Sequence, residues 1–302
     1  MTLQKSRNST NGSYPGFPAP LGWPGSSYGS GPGPSSNSLV SELPSHEALA
    51  DLLADYEPVD LVDLDRVALL NRMDTKYVLT HERLLAAFAS LSRHYRALDI
   101  DGRRLSRYHT LYFDSSGMAL YRLHHAGKQP RHKLRSREYV ESGLYFFEIK
   151  EKTNKGLTVK HRLPTGRLTA RITPDIEEYL SSRAPRAEPD VSPVLINDFT
   201  RATLVNREEA GVGERITVDI DLKFAGNGRE VPLPGTAIVE VKQAGVNWSS
   251  PAMKALRAAG VFPTSVSKYC LGVSLLYEDV KHNSFKPTLL LIKKLMKEAG
   301  NV

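Results

Sequence analysis

The residues with the clearest chemical potential in this chain are cations set two apart. In KLRSREY (133–139), Lys133, Arg135 and Arg137 alternate with other residues, and TVKHRL (158–163) places Lys160 and Arg162 the same way. LYFFEIKEK (144–152) sets Glu148, Lys150 and Lys152 against Tyr145, Phe147 and Ile149. Glu240 and Lys242 are in phase in IVEVK, as are Arg72, Asp74 and Lys76 in NRMDTKYV. RITVDIDL (215–222) puts Arg215, Thr217, Asp219 and Asp221 on one parity and Ile216, Val218, Ile220 and Leu222 on the other. Period two belongs to strands, whose successive side chains point to opposite faces. One such strand is consistent with a solvated polar face. Cations repeating in phase on strand after strand repel unless an anion lies between them. Many guanidinium forks and ammonium points together suit phosphate, and a chain of phosphates most of all.

Positioning these residues requires strands, and the period-two segments predict eight: about 72–79, 106–113, 131–140, 144–152, 157–163, 194–205, 214–222 and 236–243. Helical spacing appears at 45–56, at 81–91 behind Thr80 as N-cap, at 249–260 with Pro251 in the first turn, and at 265–278. Residues 286–298 form a basic amphipathic helix. There is no βαβ rhythm, so the expected class is α+β with an antiparallel sheet. An eight-stranded antiparallel β-barrel leaves no free edges, and helices packed outside it turn the polar, cation-lined face inward. The expected organisation is a disordered Ser/Gly/Pro-rich tail over 1–44, a tunnel domain over 45–280 and the C-terminal helix over 281–302.

Composition narrows the function. The chain has 302 residues with 40 Lys+Arg against 33 Asp+Glu, a formal charge of +7, so an anionic partner is expected. A single cysteine, Cys270, excludes a disulfide framework and a cysteine-based zinc site. It sits in an apolar helix and reads as a buried structural thiol. No P-loop and no G-x-S-x-G motif occurs. His124 and His125 are adjacent and read as surface residues. No apolar run is long enough to span a bilayer, and none follows Lys5 and Arg7 as a secretory signal would require. A cytoplasmic location is the expectation. The C-terminal helix, with Lys286, Lys293, Lys294 and Lys297, could touch an anionic membrane or lie over the tunnel.

Nine motifs occur in a recognisable order: R-x-x-T-K-Y (72–77), Y-F-D (112–114), Y-R-L (121–123), K-L-R-S-R-E-Y (133–139), F-E-I-K (147–150), F-T-R-A (199–202), R-I-T-V-D-I-D-L (215–222), V-E-V-K (239–242) and S-K-Y (267–269). Over about residues 59–278 the chain resembles the VTC domain, the polyphosphate polymerase branch of the triphosphate tunnel metalloenzymes. The resemblance implies an eight-stranded tunnel that binds ATP by its phosphates and passes the γ-phosphoryl group to a growing polyphosphate chain, with Mn²⁺ or Mg²⁺ as cofactor. Lys76, Arg122, Arg135, Arg137, Lys150, Arg201, Arg215 and Lys242 match the family's basic phosphate-binding positions, and Glu240 matches its metal-binding carboxylate. Lys268 matches one of two lysines on the last helix; Ser265 stands where the other would be. Arg72, Lys133, Lys152, Lys160 and Arg162 are added as substrate-binding candidates from the strand faces. Glu148, Asp219 and Asp221 are either further ligands or ion-pair partners of these cations.

Two other readings stay open. A triphosphate hydrolase of the same superfamily carries alternating glutamates on its first strand, where this chain has R-M-D-T-K. A binding module for polyphosphate, inositol phosphates or RNA needs no catalysis, and tyrosines interleaved with arginines suit RNA in composition. Convergence of Arg135, Lys150, Arg215 and Lys242 in one tunnel favours a linear polyanion and leaves no room for nucleic acid duplexes. The resemblance gives ATP and polyphosphate as partners, and any product export would need another, membrane-embedded protein.

Overall fold

The computed structural model describes residues 44–66, 73–185, 190–207 and 213–300; the Ser/Gly/Pro-rich segment before residue 44 and Arg72 lie outside them. The strands are β1 (Glu57–Val59), β2 (Met73–Thr80), β3 (Tyr95–Leu98), β4 (Ser106–Asp114), β5 (Arg131–Tyr139), β6 (Leu144–Lys152), β7 (Thr158–Pro164), β8 (Ser192–Asn206), β9 (Arg215–Gly226), β10 (Arg229–Pro232) and β11 (Thr236–Gln243). The helices are α1 (Pro44–Ala54), α2 (Leu61–Arg66), α3 (His81–Phe88), α4 (Ala119–His125), α5 (Pro174–Arg183), α6 (Pro251–Ala258), α7 (Lys268–Leu276) and α8 (Lys286–Glu298). The class is α+β. Its sheet runs β2-β11-β9-β8-β4-β5-β6-β7, antiparallel throughout this path. The short strands β1, β3 and β10 attach beside it.

All eight strands of the path coincide with the period-two segments, but the sheet is not a closed barrel, because β2 and β7 end the path without pairing. Two features keep the seam open. The Lys76 carbonyl of β2 accepts the Thr264 amide at 2.7 Å, so the segment entering α7 already occupies part of the β2 edge. The facing walls also carry like charge, Lys76 on one side and Lys150 and Lys160 on the other.

One face of the sheet is apolar and buried under helices. Tyr77, Leu79, Leu204, Ile216, Val218, Ile220, Val239 and Val241 pack with Leu49 and Leu53 of α1, Leu84 and Phe88 of α3, and Met253 and Leu256 of α6. Leu111, Leu134, Phe147 and Ile149 form a second cluster with Ile176 and Leu180 of α5. Local sequence starts these helices where expected. Thr80 Oγ1 accepts from the Arg83 amide and Ser250 Oγ from Met253, each at 3.3 Å, and Pro251 takes the first turn of α6.

α7 departs from the expected outside position. Its Tyr269, Cys270 and Val273 pack with Val78, Tyr112, Phe199 and Ile238, which share the opposite, polar face of the sheet. The helix therefore plugs part of one end of the hollow, and α8 buries Ile292 and Leu295 in the same cluster.

The alternation in β9 also breaks. The register with β8 slips between Asp198 and Thr200, and Asp221 adopts φ +52°. This β-bulge inserts one residue and reverses the parity beyond it. Leu222 and Phe224 consequently join the α7 cluster, and Asp221 leaves the polar face to meet His46 of α1 at 3.0 Å.

Candidate functional site

The cross-strand registers place the predicted cations on one concave face. Lys133 lies opposite Lys150, Arg135 opposite Glu148, Glu148 opposite Arg162, and Lys150 opposite Lys160. On the other wall Lys76 lies opposite Glu240, Lys242 opposite Arg215, and Arg201 opposite Asp219. Curling of the sheet brings the walls together. Lys150 of β6 responds to Glu240 of β11 and Lys76 of β2, and Lys133 of β5 responds to Lys76.

Three carboxylates organise these charges, Glu148 and Asp219 buried and Glu240 half-buried. Glu148, with its side chain 1% exposed, meets Arg135 and Lys160 at 2.6 Å and Arg162 at 2.9 Å. Burial alone would raise its pKa, but Arg135, Arg137 and Lys160 hold it well below the usual carboxylate range. Asp219 takes Arg201 through two oxygens, at 2.5 and 2.8 Å, and also pairs with Lys268 from the start of α7. Its pKa is about 2 despite burial, because Arg201 and Lys268 favour the anion. Glu240 meets Lys76 through Oε1 and Lys242 through Oε2, both at 2.6 Å. Glu148 and Asp219 thus hold the cations upright, the ion-pair role open to them from sequence.

Further side chains set the orientation of the arginines. Arg137 donates to Thr110 Oγ1 at 3.1 Å and lies over the Tyr108 and Phe199 rings, 5.4 and 5.7 Å from their centroids. Arg201 covers the same two rings, which stack at 5.1 Å, and Arg162 lies over Tyr139 and Phe146. Lys242 donates to Thr217 at 3.1 Å. Burial and the neighbouring lysines and arginine push Lys150 down to about 8, and burial likewise lowers Lys133, Lys160, Lys242 and Lys268.

Not every sequence-predicted residue joins this face. Arg122 stands exposed on α4, a helix absent from the strand-based expectation, and Arg72 lies outside the described residues. Lys152 does share the face, opposite Arg131, which the sequence reading left out. His124 is not a free surface residue: its Nε2 lies 3.2 Å from the His132 carbonyl. No sequence pattern announces that contact, since it depends on α4 folding back on β5.

For a divalent ion, the donor set is sparse. Both Glu240 oxygens are engaged by lysines, and no group of three His, Cys, Asp or Glu suited to a metal occurs among the described residues. Magnesium-type ions commonly take one or two carboxylates and complete their shell with water and substrate phosphates. Glu240 therefore fits such an ion only together with phosphates that draw Lys76 and Lys242 away.

A curled antiparallel sheet whose hollow gathers lysines and arginines from both walls defines a class of domain built around a polyanion. The sequence model of the VTC domain matches residues 71–277, and the chain belongs to the VTC domain family. Among solved structures, the Hippeastrum protein HpAC1, assigned as an adenylyl cyclase and described as having a dominant triphosphatase activity, is 13% identical. That likeness covers 70% of this chain and 100% of the other, with a TM-score of 0.43. Protein PH1819 from Pyrococcus horikoshii OT3 is 14% identical over 67% of this chain and 96% of the other, with a TM-score of 0.37. No curated protein matches the chain. No helix among the described residues is long and apolar enough to cross a membrane.

Proposed function

We propose that this protein makes inorganic polyphosphate from ATP, passing the γ-phosphoryl group to the end of a phosphate chain held in the hollow. The observation that carries this reading is the meeting of Lys76, Arg135, Lys150, Arg201, Arg215 and Lys242 from different strands on one concave face. A curled face of this kind suits a thin linear polyanion.

Phosphoryl transfer asks little covalent chemistry of a protein and depends on in-line positioning and spread of charge. Arg135 and Arg201 are pre-aimed by Glu148 and Asp219 and can fork onto phosphate oxygens. Lys76 and Lys242 can exchange Glu240 for phosphate, and Lys150, which has no carboxylate within ion-pair distance among the described residues, adds a point charge from the opposite wall. A terminal phosphate oxygen of the chain attacks the γ-phosphorus, the bond to the β–γ bridging oxygen breaks, and ADP leaves with that electron pair. No protein nucleophile or proton transfer is required. Bound Mn²⁺ or Mg²⁺, held by Glu240, would neutralise phosphate charge. Only Asp74 and Glu240 supply carboxylates to the β2–β11 wall, far from an acid-rich metal cage for hydrolysis.

The test is incubation of the full chain with ATP and Mn²⁺, with products resolved on a gel stained for polyphosphate. A ladder supports synthesis. Orthophosphate without a ladder replaces it with hydrolysis, and tight polyphosphate binding with neither product replaces it with a binding module.

A further inference from the structure

Most cations in the hollow have a carboxylate; Arg137 is held by Thr110 and two aromatic rings instead, and four more lie together without one among the described residues. Lys133 lies directly opposite Lys150, and Arg131 directly opposite Lys152, in the β5–β6 register. Among the described residues no carboxylate stands within ion-pair distance of any of the four, whereas Glu148, Asp219 and Glu240 serve the other clusters. Like charges directly across a strand pair destabilise a sheet. Arg131 uses Nη1 for the Lys128 carbonyl at 3.1 Å, while its Nε is buried without a hydrogen-bond partner. A buried donor left unmatched beside three lysines points to an anion.

His124 adds an acceptor beside these cations. Its Nε2 lies 3.2 Å from the His132 carbonyl, and a carbonyl only accepts, so the ring proton sits on Nε2. Nδ1 is then a lone pair, and it makes no hydrogen bond among the described residues. The Tyr269 ring packs edge-on at 6.0 Å and fixes the imidazole from the α7 side. Burial, then Lys133 and Arg131, push the ring pKa down to about 2, so Nδ1 accepts and does not donate.

We propose that Lys133, Lys150, Arg131 and Lys152, with the Nδ1 lone pair of His124, form a phosphate site that selects a phosphate oxygen still carrying its proton. The cations gather the charge, and the lone pair requires a P–OH to meet it. Near neutral pH, orthophosphate and the terminal group of a linear polyphosphate carry such protons; sulfate, internal phosphates and cyclic polyphosphate do not. The site therefore sorts chain ends from chain interiors. Its role as the acceptor site rests on the polymerase reading, but its preference for phosphate over sulfate does not.

The test uses the full chain titrated with orthophosphate and with sulfate by calorimetry. Orthophosphate binds roughly tenfold or more tightly than sulfate, as expected for a hydrogen bond to a charged ligand, and His124→Ala brings the two together while Lys133→Ala weakens both. A second measurement needs no variant. In ¹⁵N-histidine-labelled wild type, the His124 signal, assigned by its proximity to Tyr269, reports an Nε2–H ring whose Nδ1 resonance moves with orthophosphate and not with sulfate. Equal binding of the two anions, a preference surviving His124→Ala, an Nδ1–H ring, or an Nδ1 signal indifferent to orthophosphate each overturns the proposal. Linear tripolyphosphate shifting the signal when cyclic trimetaphosphate does not assigns the site to chain ends; orthophosphate alone shifting it assigns the site to free phosphate. A chain that makes no polyphosphate but passes these tests keeps the site and loses only its acceptor role.

Discussion

Glu148→Gln removes one negative charge and almost no volume, and its consequences can be worked from the structure. The carboxylate is fully buried and holds Arg135 and Lys160 at 2.6 Å and Arg162 at 2.9 Å. Removing one partner from a buried pair typically costs about 3–5 kcal/mol, because the remaining charge stays buried without compensation. Lys160 and Arg162 are 30% and 48% exposed and can turn to water, so Arg135 dominates and the lower end, about 3 kcal/mol, applies. For a domain of this size that is a fall of roughly 6–12 °C in Tm. The sign with pH follows from the depressed Glu148 pKa. Its stabilisation is present above the ordinary carboxylate range and is lost as pH falls through the native value, so the gap between wild type and variant narrows in strong acid. A polyanion supplies the missing charge. At 100 times its Kd, tripolyphosphate stabilises a one-site protein by about 2.7 kcal/mol, and the variant, with one more uncompensated cation, gains more than wild type at the same concentration. Thermal denaturation of both proteins with and without tripolyphosphate measures all of this. A variant melting with wild type, or equal stabilisation of the two by ligand, refutes the role given to Glu148.

Other consequences are equally direct. Lys150, lowered to about 8 by burial and its cationic neighbours, loses its charge as pH rises through that value, so tripolyphosphate affinity measured by calorimetry falls between pH 7 and pH 9; a flat profile contradicts it. Arg135→Ala or Lys242→Ala abolishes polyphosphate synthesis, with folding checked by circular dichroism, and full activity in both removes them from the site. Gly272→Ala sets a Cβ 2.7 Å from Leu195 and Phe224 side-chain atoms, an overpacking of α7 that costs about 1–3 kcal/mol in denaturant unfolding. His46 has a raised pKa through its hydrogen bond to Asp221, so its few tenths of a kcal/mol are present below the ordinary histidine pKa and vanish as pH rises through the raised one. Melting of His46→Ala against wild type at pH 5.5 and 8.5 reads that difference.

The cationic face was legible because period-two spacing fixes parity within a strand, and Lys133, Arg135 and Arg137 had to share a side once β5 formed. Parity fails where the backbone inserts a residue. Asp221, at φ +52°, looks in sequence like a fourth polar residue of β9, yet it is where the faces exchange. Closure was not legible either. It depends on whether β2 and β7 can meet, which the Thr264 contact with β2 and the facing lysines decide, and neither shows in a local window. The helix carrying Arg122 and His124 is not announced by a local window, because it is 7 residues long and its first amides are met by Asp114 and Ser115, not by a polar residue at the N-cap. The carboxylates that aim the arginines were visible as residues, but their partners belong to registers between strands.

If the hollow builds a phosphate chain from ATP, the phosphorus spectrum of the reaction shows it. ³¹P NMR of the full chain with ATP and Mn²⁺, quenched with a chelator at intervals, tests it most directly. The predicted result is loss of the γ-phosphate signal, appearance of ADP, and growth of internal polyphosphate resonances over terminal ones. ADP appearing with orthophosphate alone, and no internal phosphate signal at any time, contradicts it.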